Sequence, residues 1–337
     1  MVPCYNERDH IEVCVRSILA QEPPDGGFEV IVADGMSNDG TRDILMQLAR
    51  EDPRLRVIDN PGRFVSTGLN AAIRVAQGGI IIRMDAHTEY APDYVRQCVS
   101  VLQETGADNV GGPWIARGDA YMSRAIAAAF QSPFAAGGAC GHYPEYKGLV
   151  DTVYLGCWPR NIFNWAGFFD EELVRNQDDE FNFRMTRAGY KIYFNPGIRS
   201  RYYVRTSFKK LGRQYFQYGY WKVYVNKKHK VVTSLRQLVP FAFVAYLLLL
   251  SIPVLLTVFN TTLLPLLLVS LFPAALYLVA STAFAIRLSG SVSLRTWYLL
   301  RSFCYLHLYY GSGYLKGLWD FVVLNKRPAS KSRELSR

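Results

Sequence analysis

The 50 positions between Arg236 and Arg287 contain no charged residue and no histidine, a run too long for a buried helix of a water-soluble domain. That absence excludes a purely soluble protein. Acid is scarce over a wider stretch: residues 201–337 hold 2 acidic against 19 basic side chains, whereas residues 1–200 hold 26 acidic against 19 basic. The two halves do different jobs, and the net charge of +10 describes neither. Cysteine is also sparse. The six at 4, 14, 98, 140, 157 and 304 form no CxxC pair and have no histidine at metal-ligand spacing, so they read as reduced cytosolic thiols. The glycine-rich loops of nucleotide binding are missing too. No GxGxxG joins the first strand to the first helix, and no GxxxxGK[ST] occurs, which excludes a dinucleotide-binding fingerprint and a P-loop. A divalent cation held by carboxylate is the natural alternative for a nucleotide diphosphate.

What is present in the uncharged stretch is two apolar runs, 238–259 and 263–286, of 22 and 24 residues. As helices they would be about 33–36 Å long, enough for the hydrocarbon thickness. The link Asn260-Thr261-Thr262 is a turn, and Pro253 and Pro273 are kinks that a bilayer-embedded helix tolerates. A transmembrane hairpin over 238–286 is predicted. Eleven Lys/Arg and no acid between Arg199 and Arg236, with Arg287, Arg295 and Arg301 after the second run, put both flanks in the cytoplasm. The segment 297–323 contains Arg301, His307, Lys316 and Asp320 and is read as a helix lying in the interface, followed by the basic tail with Lys331 and Arg333. The basic stretch with its Tyr215, Tyr218, Tyr220 and Trp221 faces anionic membrane lipids rather than nucleic acid, because it directly precedes a span. The expected organisation is a cytosolic domain over 1–220, a basic aromatic collar over 221–237, the hairpin over 238–286, and an interfacial helix with tail over 287–337. No leader pattern opens the chain, and only two residues of an expected buried strand precede the Pro3-Cys4-Tyr5-Asn6-Glu7 turn, so the natural chain is expected to begin upstream.

In the first half, apolar runs at 28–33, 55–58 and 80–84 alternate with helix faces such as Ile11/Val15/Ile18/Leu19 and Leu69/Ile73/Ala76. That alternation predicts an α/β domain with a mainly parallel sheet. Ligands of such sheets sit at the carboxyl ends of the strands, where this chain carries Asp34 and Asp85.

Pro3-x-Tyr5-Asn6-Glu7, Asp34 with Ser37-Asn38-Asp39-Gly40-Thr41, Asn70, Asp85-Ala86-His87, Gly167-Phe168-Phe169-Asp170-Glu171 and Asp178-Asp179-Glu180-Phe181 follow one another in the order and spacing of family 2 glycosyltransferases. The resemblance covers about residues 1–220. The hairpin, Asp85-Ala86-His87 and Tyr215-Phe216-Gln217-Tyr218-Gly219 are similar to the succinoglycan-biosynthesis glucosyltransferase subgroup.

The resemblance implies a GT-A fold and inverting transfer of a sugar, glucose in that subgroup, from a UDP-sugar to a saccharide linked to polyprenyl diphosphate at the bacterial inner membrane. It assigns Pro3, Tyr5, Glu7, Asp34, Asn70 and Asp85 to the nucleotide sugar. Asp34 would accept the imide hydrogen of uracil, or else cap the following turn. Gly35 stands where the family often has a second Asp. Asp39 with Gly40 reads as turn chemistry. Asp85 and His87, taken as an extended pair on one face, would hold Mn²⁺ or Mg²⁺, the histidine suiting Mn²⁺ better; a surface-loop reading of His87 stays open. Asp178 is the expected general base and Asp179 its alternative, at a helix start that acids also favour for the dipole. Arg184 and Arg187, which follow on that helix, are read as partners for those acids. Trp114, Gly156, Trp158 and Asp179 are assigned to the acceptor, although a tryptophan there also suits a core. Gln214-Tyr215-Phe216-Gln217-Tyr218 lacks the Arg-Trp of processive relatives, which favours single-sugar transfer. A rival reading, an inactive membrane scaffold, would be signalled by loss of Asp85 and Asp178, and both are present.

Overall fold

The structure is a computed structural model that describes residues 1–137, 145–233 and 235–328. Cys140, Lys331 and Arg333 lie outside the described residues. The elements run β1 (Val2–Cys4), α1 (Arg8–Leu19), β2 (Val30–Asp34), α2 (Thr41–Glu51), β3 (Leu55–Asp59), α3 (Val65–Val75), β4 (Ile80–Ile82), β5 (Thr88–Tyr90), α4 (Tyr94–Thr105), β6 (Asn109–Gly111) and β7 (Trp114–Arg117). They continue with α5 (Tyr121–Phe130), α6 (Pro133–Ala136), β8 (Gly148–Val150), β9 (Cys157–Pro159), α7 (Ile162–Trp165), α8 (Gln177–Arg187), β10 (Ile192–Phe194) and β11 (Ser200–Tyr203). The rest is helical: α9 (Phe208–His229), α10 (Leu238–Leu249), α11 (Ser251–Phe259), α12 (Leu264–Ser289) and α13 (Leu294–Gly317), which ends in a π-helical turn, Leu318–Val323.

The chain divides into two units, Met1–Ile115 with Ala139–Tyr203, and Ala116–Gly138 with Val204–Arg337. Helix α9, which crosses the expected boundary at 220, lies within the second unit. Helix α9 buries Trp221, Lys222, Val223 and Val225 inside the second unit, so those residues pack rather than line a membrane surface.

In the first unit β1, β2 and β3 form an all-parallel sheet with Val2 opposite Val32 and Val30 opposite Leu55. The second sheet, in the order β4-β9-β6-β10-β8, is mixed: β6 and β10 run parallel while β9 and β8 pair antiparallel with their neighbours. The Met84 amide donates to the Met1 carbonyl at 2.9 Å and joins the two sheets. Alternation along β2 splits the core as a pleated strand must. Val30 and Val32 face Ile11, Val15 and Ile18 of α1 and Leu45 and Leu48 of α2. Ile31 faces the other way, into the cluster of Leu69 and Ile73 from α3 and Phe181 and Met185 from α8. Helices cover both faces, and the strand ends carry the site.

In the second unit two helical stretches, Leu235–Phe259 and Thr261–Ser289, are long and apolar enough to cross a membrane, and 6% and 0% respectively of their most apolar windows are buried within the protein. Apolar faces left this bare call for lipid rather than water. Asn260 makes the turn, its Oδ1 accepting from the amide and hydroxyl of Thr262 at 3.1 and 2.7 Å. Pro273 breaks the ladder of α12, and Tyr246 of α10 repairs it: its hydroxyl donates to the Ser270 carbonyl at 2.6 Å and accepts the Ala274 amide at 3.2 Å. Helix α13 packs one face within the unit, burying Leu299, Phe303, Leu306 and Tyr314. It runs so close to α9 that a Cβ at Gly219 would overlap the Tyr310 carbonyl oxygen, and one at Gly313 that of Phe216. Small residues permit such backbone approach.

Candidate active site

β2 ends at Asp34, whose side chain has no exposed surface. Its Oδ1 accepts from the Ser37 hydroxyl at 2.6 Å and its Oδ2 from Arg42 Nη1 at 3.0 Å, while Arg42 reaches on to Asp59 at 2.6 Å. The carboxylate expected to meet uracil is thus engaged within the protein, where it ties down its own loop. That loop is stitched to the segment after β1: the Asn6 amide donates to Ser37 Oγ at 2.9 Å, the Glu7 amide to Thr41 Oγ1 at 2.9 Å and the Arg8 amide to Asp39 Oδ2 at 3.2 Å. Asp39 performs turn chemistry. Burial pushes its carboxyl upward, but hydrogen bonds from Thr41 and Arg8 outweigh this and hold it below its ordinary value. Pro3 is buried opposite Ala33, and the Tyr5 ring lies 6.0 Å from the Arg63 guanidinium. A Cβ at Gly35 would stand 3.0 Å from the Tyr5 Cβ and 3.1 Å from the Cys4 carbonyl, which leaves little room for a second aspartate.

Asn70 also has an internal task. It is 1% exposed, donates to the Phe169 carbonyl and to Glu171 Oε1 at 2.8 Å each, and accepts the Phe169 amide at 3.0 Å. It clamps α3 to the Gly167–Glu171 loop.

Beyond β4 the expected extended geometry is absent. The Thr88 amide donates to the Asp85 carbonyl at 3.3 Å and closes a turn, so residues 85 and 87 do not alternate as on a strand. The Asp85 carboxylate receives Nε and Nη2 of Arg83, each 3.2 Å from Oδ1, with the Tyr154 hydroxyl 3.4 Å from Oδ2. His87 Nδ1 is buried, makes no hydrogen bond and lies 3.6 Å from Glu7 Oε1. An orphaned imidazole nitrogen faced by a carboxylate, with another carboxylate two residues upstream, is donor chemistry that suits a divalent cation. Among the described residues no group of three such side chains gathers at one point, so a bound nucleotide or water would have to complete the shell. Behind the turn, Cys14 Sγ is 3.5 Å from the Asp85 carbonyl, and burial, aided by Asp85 and Glu7, pushes the thiol up to about 12. Without a bound cation it stays a protonated thiol at neutral pH. Burial and Asp85 likewise raise Tyr154 well above its ordinary value and keep it a hydrogen-bond donor.

Helix α8 begins after Asn176, which takes the left-handed conformation at φ 62°. Its second residue, Asp178, accepts the Asp179 amide at 3.0 Å through Oδ1 and turns Oδ2 to within 3.6 Å of Arg83 Nη1. The Asp178 side chain is 34% exposed, open enough to meet an incoming hydroxyl. Asp179 is also partly exposed on the same turn. Glu180 is buried and paired with Arg184 at 3.1 Å.

The two expected tryptophans separate. Trp114 lies 5.8 Å from the Tyr154 ring and 5.5 Å from the Tyr202 ring, and Tyr202 is 5.4 Å from His87, which puts Trp114 beside the Asp85–His87 turn. Trp158 is 1% exposed and packed edge-on among Phe163, Phe169 and Phe181. It is packed in the core. Gly156, at φ 103°, supports it from below: a Cβ there would overlap the Trp158 ring, while the Gly156 carbonyl accepts the Arg83 amide at 3.1 Å. Arg83, Tyr154 and Tyr202 were missed from sequence. For Arg83 the signal was there, a lone charge closing the run Ile80-Ile81-Ile82.

Residues 1–139 match the family model Glycosyl transferase family 2. The chain is 34% identical over 250 residues to the succinoglycan biosynthesis protein ExoA of Rhizobium meliloti (strain 1021), spanning 72% of this chain and 74% of that protein. It is 29% identical over 256 residues to a dolichyl N-acetyl-alpha-D-glucosaminyl phosphate 3-beta-D-2,3-diacetamido-2,3-dideoxy-beta-D-glucuronosyltransferase of Methanococcus voltae, spanning 74% and 79%. Among solved structures, the mannosyltransferase PcManGT from Pyrobaculum calidifontis, in complex with GDP-Man and Mn²⁺, superposes with a TM-score of 0.58 at 20% identity over 94% of this chain and 86% of that one. At that identity the likeness concerns the fold, which is GT-A.

Proposed function

The chain belongs to glycosyl transferase family 2 and is a glycosyltransferase, and from that premise we propose that it moves a single glucose, with inversion, from UDP-glucose to a saccharide carried on polyprenyl diphosphate in cell-surface polysaccharide synthesis. The observation that carries this reading is the meeting of Asp85, at a strand end, and Asp178, at a helix start, on the two sides of one guanidinium. Asp178 takes the proton of the acceptor hydroxyl as that oxygen attacks the anomeric carbon, and the bonding pair to the diphosphate oxygen leaves with UDP. Asp85 and His87 would hold Mn²⁺ or Mg²⁺, which supplies positive charge to the leaving diphosphate. Tyr5 and Glu7 face the nucleotide beside Pro3, Asp34 and Asn70, with Asp34 tying down the loop stitched to their segment. Trp114 offers a ring to the acceptor sugar, with Asp179 beside the base.

The lipid-linked acceptor is supported by the apolar hairpin, by the basic residues preceding it, which suit anionic headgroups, and by the dolichyl phosphate named in the Methanococcus relative. Basic flanks put Lys230 and Arg287 on the cytoplasmic face of the inner membrane. A reporter inserted at Asn260 should read the far side and one at Lys230 the cytoplasm; the reverse pattern would overturn the orientation. The activity is tested by incubating membranes with radiolabelled UDP-glucose, other UDP-sugars and GDP-mannose together with extracted polyprenyl-diphosphate saccharides. Label should pass into the lipid phase from UDP-glucose; transfer from GDP-mannose alone would refute the donor.

A further inference from the structure

Arg83 contacts both carboxylates of the site, Asp85 and Asp178. It is 4% exposed, and its backbone is anchored by the Gly156 carbonyl at 3.1 Å. A buried guanidinium is costly unless its donors are matched, and here the match is unequal. The Nε and Nη2 edge sits on Asp85 at hydrogen-bond distance, 3.2 Å for each nitrogen. Nη1 is buried, makes no hydrogen bond and has Asp178 Oδ2 at 3.6 Å. Burial alone would lower the arginine's pKa, but Asp85, Asp178 and Tyr154 together outweigh it, so the charge is permanent.

The guanidinium is planar and rigid, so the edge fixed on Asp85 dictates the direction of Nη1. A contact longer than a hydrogen bond orients the Asp178 carboxylate by charge and leaves its lone pairs open to a proton. We propose that Arg83 is a positioning residue for transfer: locked onto Asp85, it sets the direction of Asp178 and thereby couples the donor side of the site to the acceptor side. The proposal rests on Asp178 being the base. A lysine at 83 would keep the charge but not the plane, because one ammonium cannot present two fixed edges.

The test uses the full-length protein in detergent, with UDP-glucose as donor and extracted polyprenyl-diphosphate saccharides as acceptor. It measures turnover at saturating donor, UDP affinity by calorimetry and the thermal midpoint for Arg83→Lys, Asp178→Asn and the double variant. Arg83→Lys should keep its midpoint and bind UDP within a few-fold of the parent while turnover falls about 10–100-fold, the scale of a misplaced catalytic group. In the Asp178→Asn background the same substitution should change turnover less than about twofold, since a residue acting through another adds nothing once that partner is gone. If Asp178→Asn slows the enzyme but the two losses multiply, the base stands and the coupling falls. If Asp178→Asn turns over normally, the base reading fails and takes the coupling with it. Should Arg83→Lys not accumulate, Asp178→Glu leaves Arg83 intact and displaces the carboxylate by one methylene; a loss of about tenfold or more supports the positioning, and turnover within about twofold of the parent refutes it.

Discussion

β2 and β4 both lead to an aspartate, and each aspartate meets an arginine, yet the two ends differ. Asp34 has no exposed surface and is saturated by Ser37 and by an Arg42 that is itself 38% exposed. Asp85 is 14% exposed, and its Arg83 is buried and turned toward a second acid. At the first end the cation is on the outside and the acid within, which makes a rivet. At the second the cation is innermost and both acids are the more exposed partners, which is the arrangement the proposed site uses. On the proposed reading, the same pair of residue types is structural or reactive according to which partner water can reach.

The most severe way to probe that contrast is at the reactive end. Asp178→Asn should lower turnover by about 10²–10⁴ with UDP affinity nearly intact, read by radiolabel transfer and calorimetry. If Asp179→Asn abolishes transfer and Asp178→Asn does not, the base is its neighbour. EDTA should abolish transfer, Mn²⁺ should restore it at least as well as Mg²⁺, and His87→Asp should shift the preference toward Mg²⁺; full activity in chelator would remove the cation from Asp85 and His87 together.

Substitutions at the riveted side should act on stability. Asn70→Ala strands the buried amide and carbonyl of Phe169 and should cost about 3 kcal/mol in chemical denaturation. Asp34→Asn weakens a pair whose arginine is partly solvated, so about 2 kcal/mol is expected, with activity falling only in step with folding. A tenfold weaker UDP affinity at unchanged stability would instead make Asp34 a nucleotide contact and dissolve the contrast. The smallest effect concerns acid. Asp39 is depressed below its unfolded value of 3.8, so its contribution is present above that pH and is lost as pH falls through the lower native value. Asp39→Asn should therefore lower stability slightly at neutral pH and flatten the acid limb of a stability-against-pH curve, so that variant and parent converge below the native value.

The alternation of apolar runs and amphipathic faces made the α/β unit legible, and the uncharged runs gave the hairpin, because both are local patterns. Asp85 and Asp178 were readable as motif positions. Arg83 was not read as part of the site, since only the packed sheet shows that it meets both of them. Trp114 and Trp158 each follow a glycine-containing segment, and nothing local reveals that one joins the Tyr154 and Tyr202 rings while the other fills a core of phenylalanines. The turn at 85–88 defeated an argument built on strand alternation. The unit boundary was hidden for the same reason: α5 and α6 are sequence neighbours of strands but group with helices that follow much later in the chain.

The hydroxyl that Tyr246 lends to the break at Pro273 bears on biogenesis. A nascent α12 entering lipid alone would expose an amide and a carbonyl with no water to solvate them, at a penalty of several kcal/mol. A partner alongside during insertion would spare that penalty, so replacing Tyr246 with phenylalanine should strike at insertion before it touches catalysis.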